Sequence, residues 1–478
     1  MALGVSARTA ALVAVVGNVG IVIGLLIQFQ AGVATPQFAA SRVVLESPRI
    51  AYAVGMDGMS LVLVVLTALV TLCAVWIAPP AGVSEKIWYG SSLLIAAGAM
   101  GAFVATDVFF FYAFHELALI PTFLMIGMYG HGGRENRLHA AWKITIYLGV
   151  GSLVLLVGLA MLVLRGSPES GMTFDIAQLV ASAPKLEAGV QASIFLTLLL
   201  GFGVLISLFP FHSWAAPAYA AAPTPVAMLH AGVLKKFGLY GLLRIALPML
   251  PLGAATPWLQ HLLLWLLLGN ILVIGLVTVA QRSLDQVLGH SSVMHMGYIF
   301  LGIACGNVIG YNGALLLMFA HGISIALLFA LAGHLRTMTG TLEMSRMSGL
   351  AKRAPLFGLL FGMAAMASLG LPGFANFSAE IMVFLGGFAS SAGEIGPVQL
   401  TTIFALWGVV ISAVYMLRAY KNIFMGPPGE LPASDPPALT LAEKLPLLLL
   451  TLVLLVIGFC PQLLLHFARP VLELLPRH

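Results

Sequence analysis

Residues 222–247 read APTPVAMLHAGVLKKFGLYGLLRIAL, an apolar run long enough to cross a bilayer that carries Lys235 and Lys236 near its middle. A charged side chain at membrane depth costs roughly 2.5 kcal/mol or more, so it normally faces a protein interior or a hydrated cavity. Two further apolar runs enclose Glu116 and Glu380. The pattern predicts a membrane protein whose function depends on ionisable groups in the middle of the membrane.

The composition of the whole chain is that of a polytopic membrane protein. Of its 478 residues, 60% are hydrophobic and 8% are charged, against roughly 25% charged in soluble domains. The net charge of +5 does not indicate a nucleic-acid partner, because the basic residues lie in short loops and not in one patch, and we expect none. The three cysteines lack metal-like spacing, and no nucleotide or zinc motif occurs. We therefore expect no metal, no cofactor and no redox centre in this chain.

Hydropathy predicts an all-α fold of about 13 transmembrane helices. Two of the predicted spans contain helix breakers, at Pro210 and at Pro372. Unwound backbone survives at membrane depth only inside protein or beside a wet cavity, so both spans should be discontinuous helices. The breaks lie five spans apart, which is typical of two inverted five-helix repeats. The predicted spans are 8–30, 57–79, 87–105, 107–128, 139–165, 190–220, 222–247, 257–281, 284–306, 311–335, 354–392, 397–424 and 443–468.

These repeats divide the chain into four parts. Residues 1–105 form N-terminal transmembrane helices, 106–250 the first repeat, 251–392 the second repeat, and 393–478 the C-terminal helices. The first apolar run lacks a convincing cleavage site, so we interpret it as a membrane span and not as a signal peptide.

The basic residues of the loops orient the chain. They fall mainly on one side of the membrane, and the positive-inside rule then places the N-terminus in the cytoplasm. The richer side carries Lys86, Arg134, Arg137, Arg282, Arg336, Arg346, Lys352, Arg353, Arg418, Lys421 and Lys444, and the poorer side carries Arg42, Arg49, Lys185 and Arg469.

Several ionisable residues in the spans are candidates for proton transfer. They are Glu116, Lys143, Lys235, Lys236, Glu380, His115, His295, His321 and His334. Carboxylate, lysine and histidine side chains exchange protons with one another, which suits a relay. The structural alternatives are a hydrogen-bonded acid at Glu116 and an interfacial anchor at Lys143. Adjacent helical residues point about 100° apart, so Lys235 and Lys236 cannot face the same cavity, and one of them can snorkel.

Six stretches in fixed order resemble the antiporter-like subunits of respiratory complex I, and most closely the M type of bacterial NADH-quinone oxidoreductase. The resemblance extends over nearly the whole chain. The stretches are FYAFHELALIPTFLMIGMYG (111–130), LFPFHSWAAPAYAAAPTP (208–225), AGVLKKFGLYGLLR (231–244), SSVMHMGYIFLGI (291–303), FAHGISIALLFALAGHL (319–335) and LGLPGFANFSAEIMVFLGGF (369–388).

The resemblance implies a proton-translocating subunit in the bacterial inner membrane, with L-type and N-type neighbours and with quinone reduction in other subunits. By their positions in the motifs, Glu116 matches the family's key glutamate, Lys236 its central lysine and Glu380 its terminal acid. His295, His321 and His334 match the histidines of its central axis. Protons would come in from the cytoplasm, reach Lys236, cross the histidines and leave past Glu380.

Three positions depart from the family pattern. Leu205 stands where the family has a lysine that partners the glutamate, His115 where it has tryptophan, and Lys235 where it has an apolar residue. His115 and Lys235 are therefore hypothetical compensating groups. Four alternatives stay open: a paralogue that pumps weakly or not at all, a subunit of a cation/proton antiporter, a module of a membrane-bound hydrogenase, and a structural scaffold without transport.

Overall fold

The computed structural model describes residues 6–389, 395–427 and 439–477. This part of the chain is mostly helical, with single 3-10 turns at Ala183–Lys185 and Met344–Arg346. The helices are α1 Ala7–Gln28, α2 Gly58–Trp76, α3 Glu85–Val104, α4 Val108–Tyr129, α5 Arg134–Gly166, α6 Ile176–Ser182, α7 Ala188–Ile206, α8 Ala215–Ala221, α9 Thr224–Met249, α10 Pro251–Ala254, α11 Pro257–Ala280, α12 Leu284–Ala304, α13 Val308–Thr339, α14 Leu350–Arg353, α15 Pro355–Ser368, α16 Ala375–Ala389, α17 Pro397–Phe424, α18 Leu441–Phe459 and α19 Gln462–Leu472.

Twelve of these helices are long and apolar enough to cross a membrane. The shorter apolar helices α15 and α16 follow one another closely and occupy the predicted span 354–392. The predicted class, a polytopic helical membrane protein, is confirmed. Helices α9 and α13 form its centre, where nearly every side chain is buried. The inverted relation of the repeats and the fourfold division of the chain stay predictions.

The first predicted break lies between α7 and α8. Helix α7 ends at Ile206, Ser207 adopts a left-handed backbone conformation, and α8 begins only at Ala215. The amide of Asn270 on α11 satisfies the backbone freed here: its nitrogen donates to the Ser207 carbonyl (3.1 Å), and its oxygen accepts from the backbone N–H of Phe209 (2.6 Å). Unwound backbone at this depth is thus held by protein, as a membrane interior requires.

The second predicted break separates α15 from α16. The connecting residues include Gly370 and Gly373, whose φ angles of 70° and 98° lie in the region that side chains disfavour. A side chain on Gly370 would also collide with the carboxylate of Glu380 (2.4 Å). The glycine therefore brings the broken backbone directly against a buried acid.

Helices α9 and α11 contain wider, π-helical turns that the sequence analysis did not predict. In α9 they occupy His230–Leu234 and Leu242–Ala246, and in α11 they occupy Gly269–Ile274. Such turns are rare and often occur at functional sites. Lys236 lies between the two wide turns of α9.

A buried ion pair joins α2 to α9. Asp57 caps α2 by accepting from the backbone N–H of Ser60 (3.0 Å), and the same carboxylate is hydrogen-bonded by Arg244 of α9. Tyr240, also on α9, shares a hydrogen bond of 3.0 Å with the Ser60 hydroxyl. These contacts anchor the C-terminal part of α9 to the N-terminus of α2.

A β-hairpin lies between α1 and α2, which the all-helical prediction missed. Strand β1 spans Gln37–Leu45 and pairs antiparallel with β2, Ile50–Met56. The prediction searched for runs of about 20 apolar residues, and strands of nine and seven residues are too short for such a search to detect. The hairpin leaves the count of spans unchanged.

The C-terminal helix α19 packs closely against α2. A Cβ atom on Gly58 would lie 1.8 Å from the backbone oxygen of Phe467. We expect Gly58→Ala to lower the thermal unfolding midpoint of the purified assembly, because either helix must shift, at a cost of roughly 1–3 kcal/mol or more. Gly17→Ala in α1 is the matched control, since nothing lies within 4 Å of its added Cβ. Equal midpoints for the two variants would contradict this close packing.

Candidate functional site

Four titratable side chains from four helices form a row through the buried centre. They are Lys236 of α9, His321 of α13, His295 of α12 and Glu380 of α16. The Lys236 ammonium lies 2.9 Å from His321 Nδ1, the two imidazole ring centres are 5.4 Å apart, and His295 Nε2 is 4.0 Å from Glu380 Oε1. We call these four residues the central row.

Lys236 is fully buried and is held by the first wide turn of its own helix. Its ammonium donates to the carbonyl of Ala231 (2.7 Å), a group inside the His230–Leu234 turn. When Lys236 carries its proton, the ammonium only donates, so His321 Nδ1 must then offer a lone pair and the ring proton lies on Nε2. Among the described residues, His321 Nε2 is buried without a hydrogen-bond partner. The histidine can therefore accept a proton on one side and release one on the other.

His295 has acceptors at both ring nitrogens. Nδ1 lies 2.7 Å from the carbonyl of Ser291, and Nε2 lies 3.0 Å from the carbonyl of Ser368, the last residue of α15 before the break. A neutral imidazole has one N–H and satisfies one carbonyl, whereas the imidazolium satisfies both. The site is therefore built to accommodate a cationic ring, with the carboxylate of Glu380 beside it.

Glu380 ends the row and is buried, with 5% of its surface exposed. Within the described part of the chain, its Oε1 has no hydrogen-bond partner, and neither has Oδ1 of Asn376, one turn earlier on α16. Buried polar atoms are rarely left unpaired in proteins, and ordered water commonly bridges such groups. Glu380 Oε1 and Asn376 Oδ1 are therefore positioned to bind water at this end of the central row.

Glu116 lies apart from the central row. About a third of its side chain is exposed (36%), whereas His115 is buried. Glu116 accepts a hydrogen bond from Ser152 of α5, and His115 Nδ1 lies 3.5 Å from the carboxylate. The His115 ring stacks on Phe237 at 4.1 Å between ring centres. The acid thus faces the perimeter of the chain, and its basic partner faces the interior.

Lys235 is as deeply buried as Lys236 but faces another direction. Its ammonium lies 3.5 Å from the Ser292 hydroxyl and 5.5 Å from the ring centre of Tyr219. The Tyr219 hydroxyl is 3.3 Å from His230 Nδ1. His230 lies within electrostatic range of both His115 and Lys235. The Tyr219 side chain therefore lies against both His230 and Lys235.

Tyr219 and Ser152 were not predicted as site residues, and His230 is one of seven histidines in the predicted spans that suit either a relay or a structural hydrogen bond. His230 lies within the opening stretch of sequence, six residues before Lys236, but the wide turn between them sets their relative direction. Tyr219 and Ser152 belong to other helices, and their hydroxyls are ordinary in composition. Only the fold brings these groups to the buried charges.

Three residues discussed from the sequence lie outside this arrangement. Lys143 is half-buried on α5, and His334 lies on α13 more than three turns beyond His321, about 20 Å along the axis. Leu205 is buried against Gly151, next to Ser152. The structure therefore does not bring Lys143 or His334 into the central row, and their roles stay predictions.

Metal ligation has no candidate site within the described ranges. No three histidine, cysteine or carboxylate side chains there come together in a way that could hold an ion. The expectation that the chain carries no metal or cofactor stays a prediction.

Comparison with known proteins identifies the family. The model of the family "NADH:quinone oxidoreductase/Mrp antiporter, TM" matches residues 105–405. NAD(P)H-quinone oxidoreductase chain 4 of Gloeobacter violaceus is 37% identical over 376 residues, covering 78% of this chain and 69% of the relative. F(420)H(2) dehydrogenase subunit M of Methanosarcina mazei is 35% identical over 416 residues, covering 86% and 81%.

Solved structures share the same fold. A chain of respiratory complex I from Thermus thermophilus with bound NADH superposes with a TM-score of 0.86 at 31% identity, covering 98% of this chain and 95% of that one. A chain of the Mrp complex from Dietzia sp. gives a TM-score of 0.82 at 22% identity, covering 98% and 92%, which shows the fold alone. The chain therefore belongs to the NADH:quinone oxidoreductase/Mrp antiporter family of membrane proteins.

Proposed function

We propose that this chain is the proton-translocating M-type membrane subunit of a complex I-type NADH-quinone oxidoreductase. Its relatives are named as quinone oxidoreductase and dehydrogenase subunits, and a chain of complex I shares its fold. Its neighbours in the membrane would be antiporter-like subunits of the L and N types, and redox chemistry would belong to other subunits of the assembly. The chain would lie in the bacterial inner membrane with its N-terminus in the cytoplasm, as the loop charges favour.

The central row is the observation that carries this proposal. The Lys236 ammonium gives a proton to His321 Nδ1, and His321 releases its other proton from Nε2. His295 receives a proton and holds it as an imidazolium between two carbonyls. Glu380 Oε1, at 4.0 Å, then accepts that proton for release. Each step moves one proton between a donor and an acceptor and needs no redox cofactor in this chain.

The Glu116–His115 pair supports a relay in which a histidine takes the place of the lysine that the family has at position 205. Leu205 packs against Gly151, and the next residue, Ser152, donates a hydrogen bond to Glu116, so position 205 lies on the side of α5 that holds the acid. Leucine carries no charge, and His115 supplies the nearby basic group instead. We propose that His115 replaces the missing lysine as the partner of Glu116.

Exchanging these side chains tests the compensated pair. We expect Glu116→Gln and His115→Phe each to lower the number of protons pumped per quinone reduced, measured with the intact assembly in proteoliposomes. Phenylalanine keeps the stack on Phe237 but removes the base. Adding Leu205→Lys to His115→Phe should restore pumping, because the new ammonium returns a partner to the acid.

Glu135→Gln is the control, since this exposed acid begins α5 outside the site. Unchanged pumping in Glu116→Gln would remove Glu116 from the relay. If the assembly pumps normally both with Glu116→Gln and with Lys236 replaced, the result would favour a paralogue that assembles but does not itself pump.

The identity of the assembly is tested separately. Purification in mild detergent should recover this chain with subunits of a quinone oxidoreductase, identified by mass spectrometry. Recovery with sodium-antiport or hydrogenase chains instead would overturn the assignment to complex I and leave the proton relay standing.

A further inference from the structure

A narrow cleft lined by five polar and six apolar residues lies at the end of the molecule that the loop charges assign to the cytoplasm. Its cavity volume is about 20 Å³, enough for one water molecule. The cleft is formed where the loop after α4 meets helices α8, α9, α12 and α13. Its polar lining comprises His131, Tyr219, Thr224, Asp285 and Arg336.

An ion pair between α12 and α13 stands at the mouth of the cleft. Arg336 Nη2 lies 2.7 Å from Asp285 Oδ2, and both side chains are partly exposed. The other oxygen of Asp285 accepts from the Ser283 hydroxyl (2.6 Å), which fixes the carboxylate. The Arg336 side chain is 26% exposed and that of Asp285 14%, so the pair lies at the boundary between the cleft and solvent.

His131 belongs to the loop after α4 and keeps a neutral imidazole in this cleft. Burial, reinforced by repulsion from Arg336, lowers the pKa of His131 to about 4. A neutral imidazole both donates and accepts hydrogen bonds, so it can order water without adding charge. The backbone N–H of His131 donates to the carbonyl of Ala221 (2.7 Å), which ties the loop to the end of α8.

Tyr219 forms the floor and contacts the buried bases on its far side. Its hydroxyl lies 3.3 Å from His230 Nδ1, and its ring lies beneath the Lys235 ammonium at 5.5 Å. The residue is itself buried, with 2% of its surface exposed. One side chain thus separates the cleft from two titratable groups of α9.

We propose that protons come into this chain through the cleft and that the Tyr219 hydroxyl passes them to His230. The hydroxyl gives its proton to Nδ1 of neutral His230 and takes one from hydronium in the cleft. One O–H bond on tyrosine breaks as one N–H bond forms, and hydronium restores the tyrosine O–H and becomes water. His230 then stands within electrostatic range of Lys235 and His115. The inference rests on the proton-translocating function proposed above.

Removing the hydroxyl of Tyr219 tests whether this group transfers protons from the cleft to His230. We expect Tyr219→Phe to lower the rate of proton pumping by the intact assembly in proteoliposomes by about tenfold or more, as loss of a proton-transferring group does. The ring, and with it the contact to Lys235, is retained. Tyr311→Phe is the matched control, because this buried hydroxyl only donates to the carbonyl of Pro476. Equal pumping by the two variants would overturn the role of Tyr219.

Blocking the cleft tests the path. In a Cys460→Ala background, Thr224→Cys places a thiol on the cleft wall, while Cys73 and Cys305 are buried. A charged thiosulfonate reagent added from the cytoplasmic side should stop pumping in this variant. Thr337→Cys, exposed on α13 beside Arg336, should be labelled without effect.

The outcomes separate the two proposals. Full pumping after complete labelling of Thr224→Cys, together with loss of pumping in Lys236→Ala, would overturn the cleft and keep the relay. Full pumping in both would overturn the proposed function itself.

Discussion

Lys236→Ala is expected to abolish proton pumping by this chain while quinone reduction by the assembly continues. Lys236 is fully buried and is the only member of the central row that contacts both the wide turn of α9 and a histidine. Positioned proton-transfer groups contribute about 10²–10⁴-fold to the steps they serve, so its loss should leave little residual transport. The measurement is the number of protons moved per quinone reduced in proteoliposomes.

Two further variants make this result interpretable. Lys236→Met keeps most of the side-chain volume, so pumping lost there reflects loss of the ammonium and not a cavity. Lys86→Ala removes an exposed lysine at the start of α3 and should pump normally. Normal pumping by an assembled Lys236→Met variant would exclude the central row as the proton path.

Glu380→Gln is expected to produce the second-largest loss of pumping. Glutamine has the same shape but carries no transferable acidic proton, so His295 loses its acceptor at 4.0 Å. Proton release should stop at the second broken helix, while assembly is preserved because the volume beside Gly370 is unchanged. The assay is again proton yield per quinone reduced, with assembly checked by size-exclusion chromatography.

Glu343→Gln serves as the comparison, because Glu343 is an exposed acid in the loop after α13. If Glu380→Gln pumps as well as Glu343→Gln, protons leave by another route. A defect confined to Glu380→Gln would link the broken helix to release.

Much of this architecture could be predicted from the sequence. Apolar runs predicted the spans, and Pro210 and Pro372 located the two breaks, because proline and glycine act on the backbone locally. Lys236 and Glu380 could be selected because charge in an apolar run is costly wherever the chain folds. Their alignment with His321 and His295 depends on how four helices pack together, and local sequence patterns do not predict that packing.

The rest required the three-dimensional arrangement. The hairpin Gln37–Met56 falls below the length that hydropathy detects. The wide turn His230–Leu234 has no sequence signature, yet it directs Lys236 to the Ala231 carbonyl. Tyr219 resembles any other aromatic residue until its hydroxyl is found beside His230.

The ion pair of Asp57 with Arg244 has a mechanical consequence for α9. The pair fixes the C-terminal part of α9 to α2. Rotation of the whole helix as a rigid body would therefore break a buried ion pair, which costs several kcal/mol. The turns on either side of Lys236 are looser than ordinary helix. Any movement of the Lys236 side chain between neighbouring groups during turnover must therefore be accommodated by the short segment of α9 around the lysine, while the C-terminal part of the helix stays fixed.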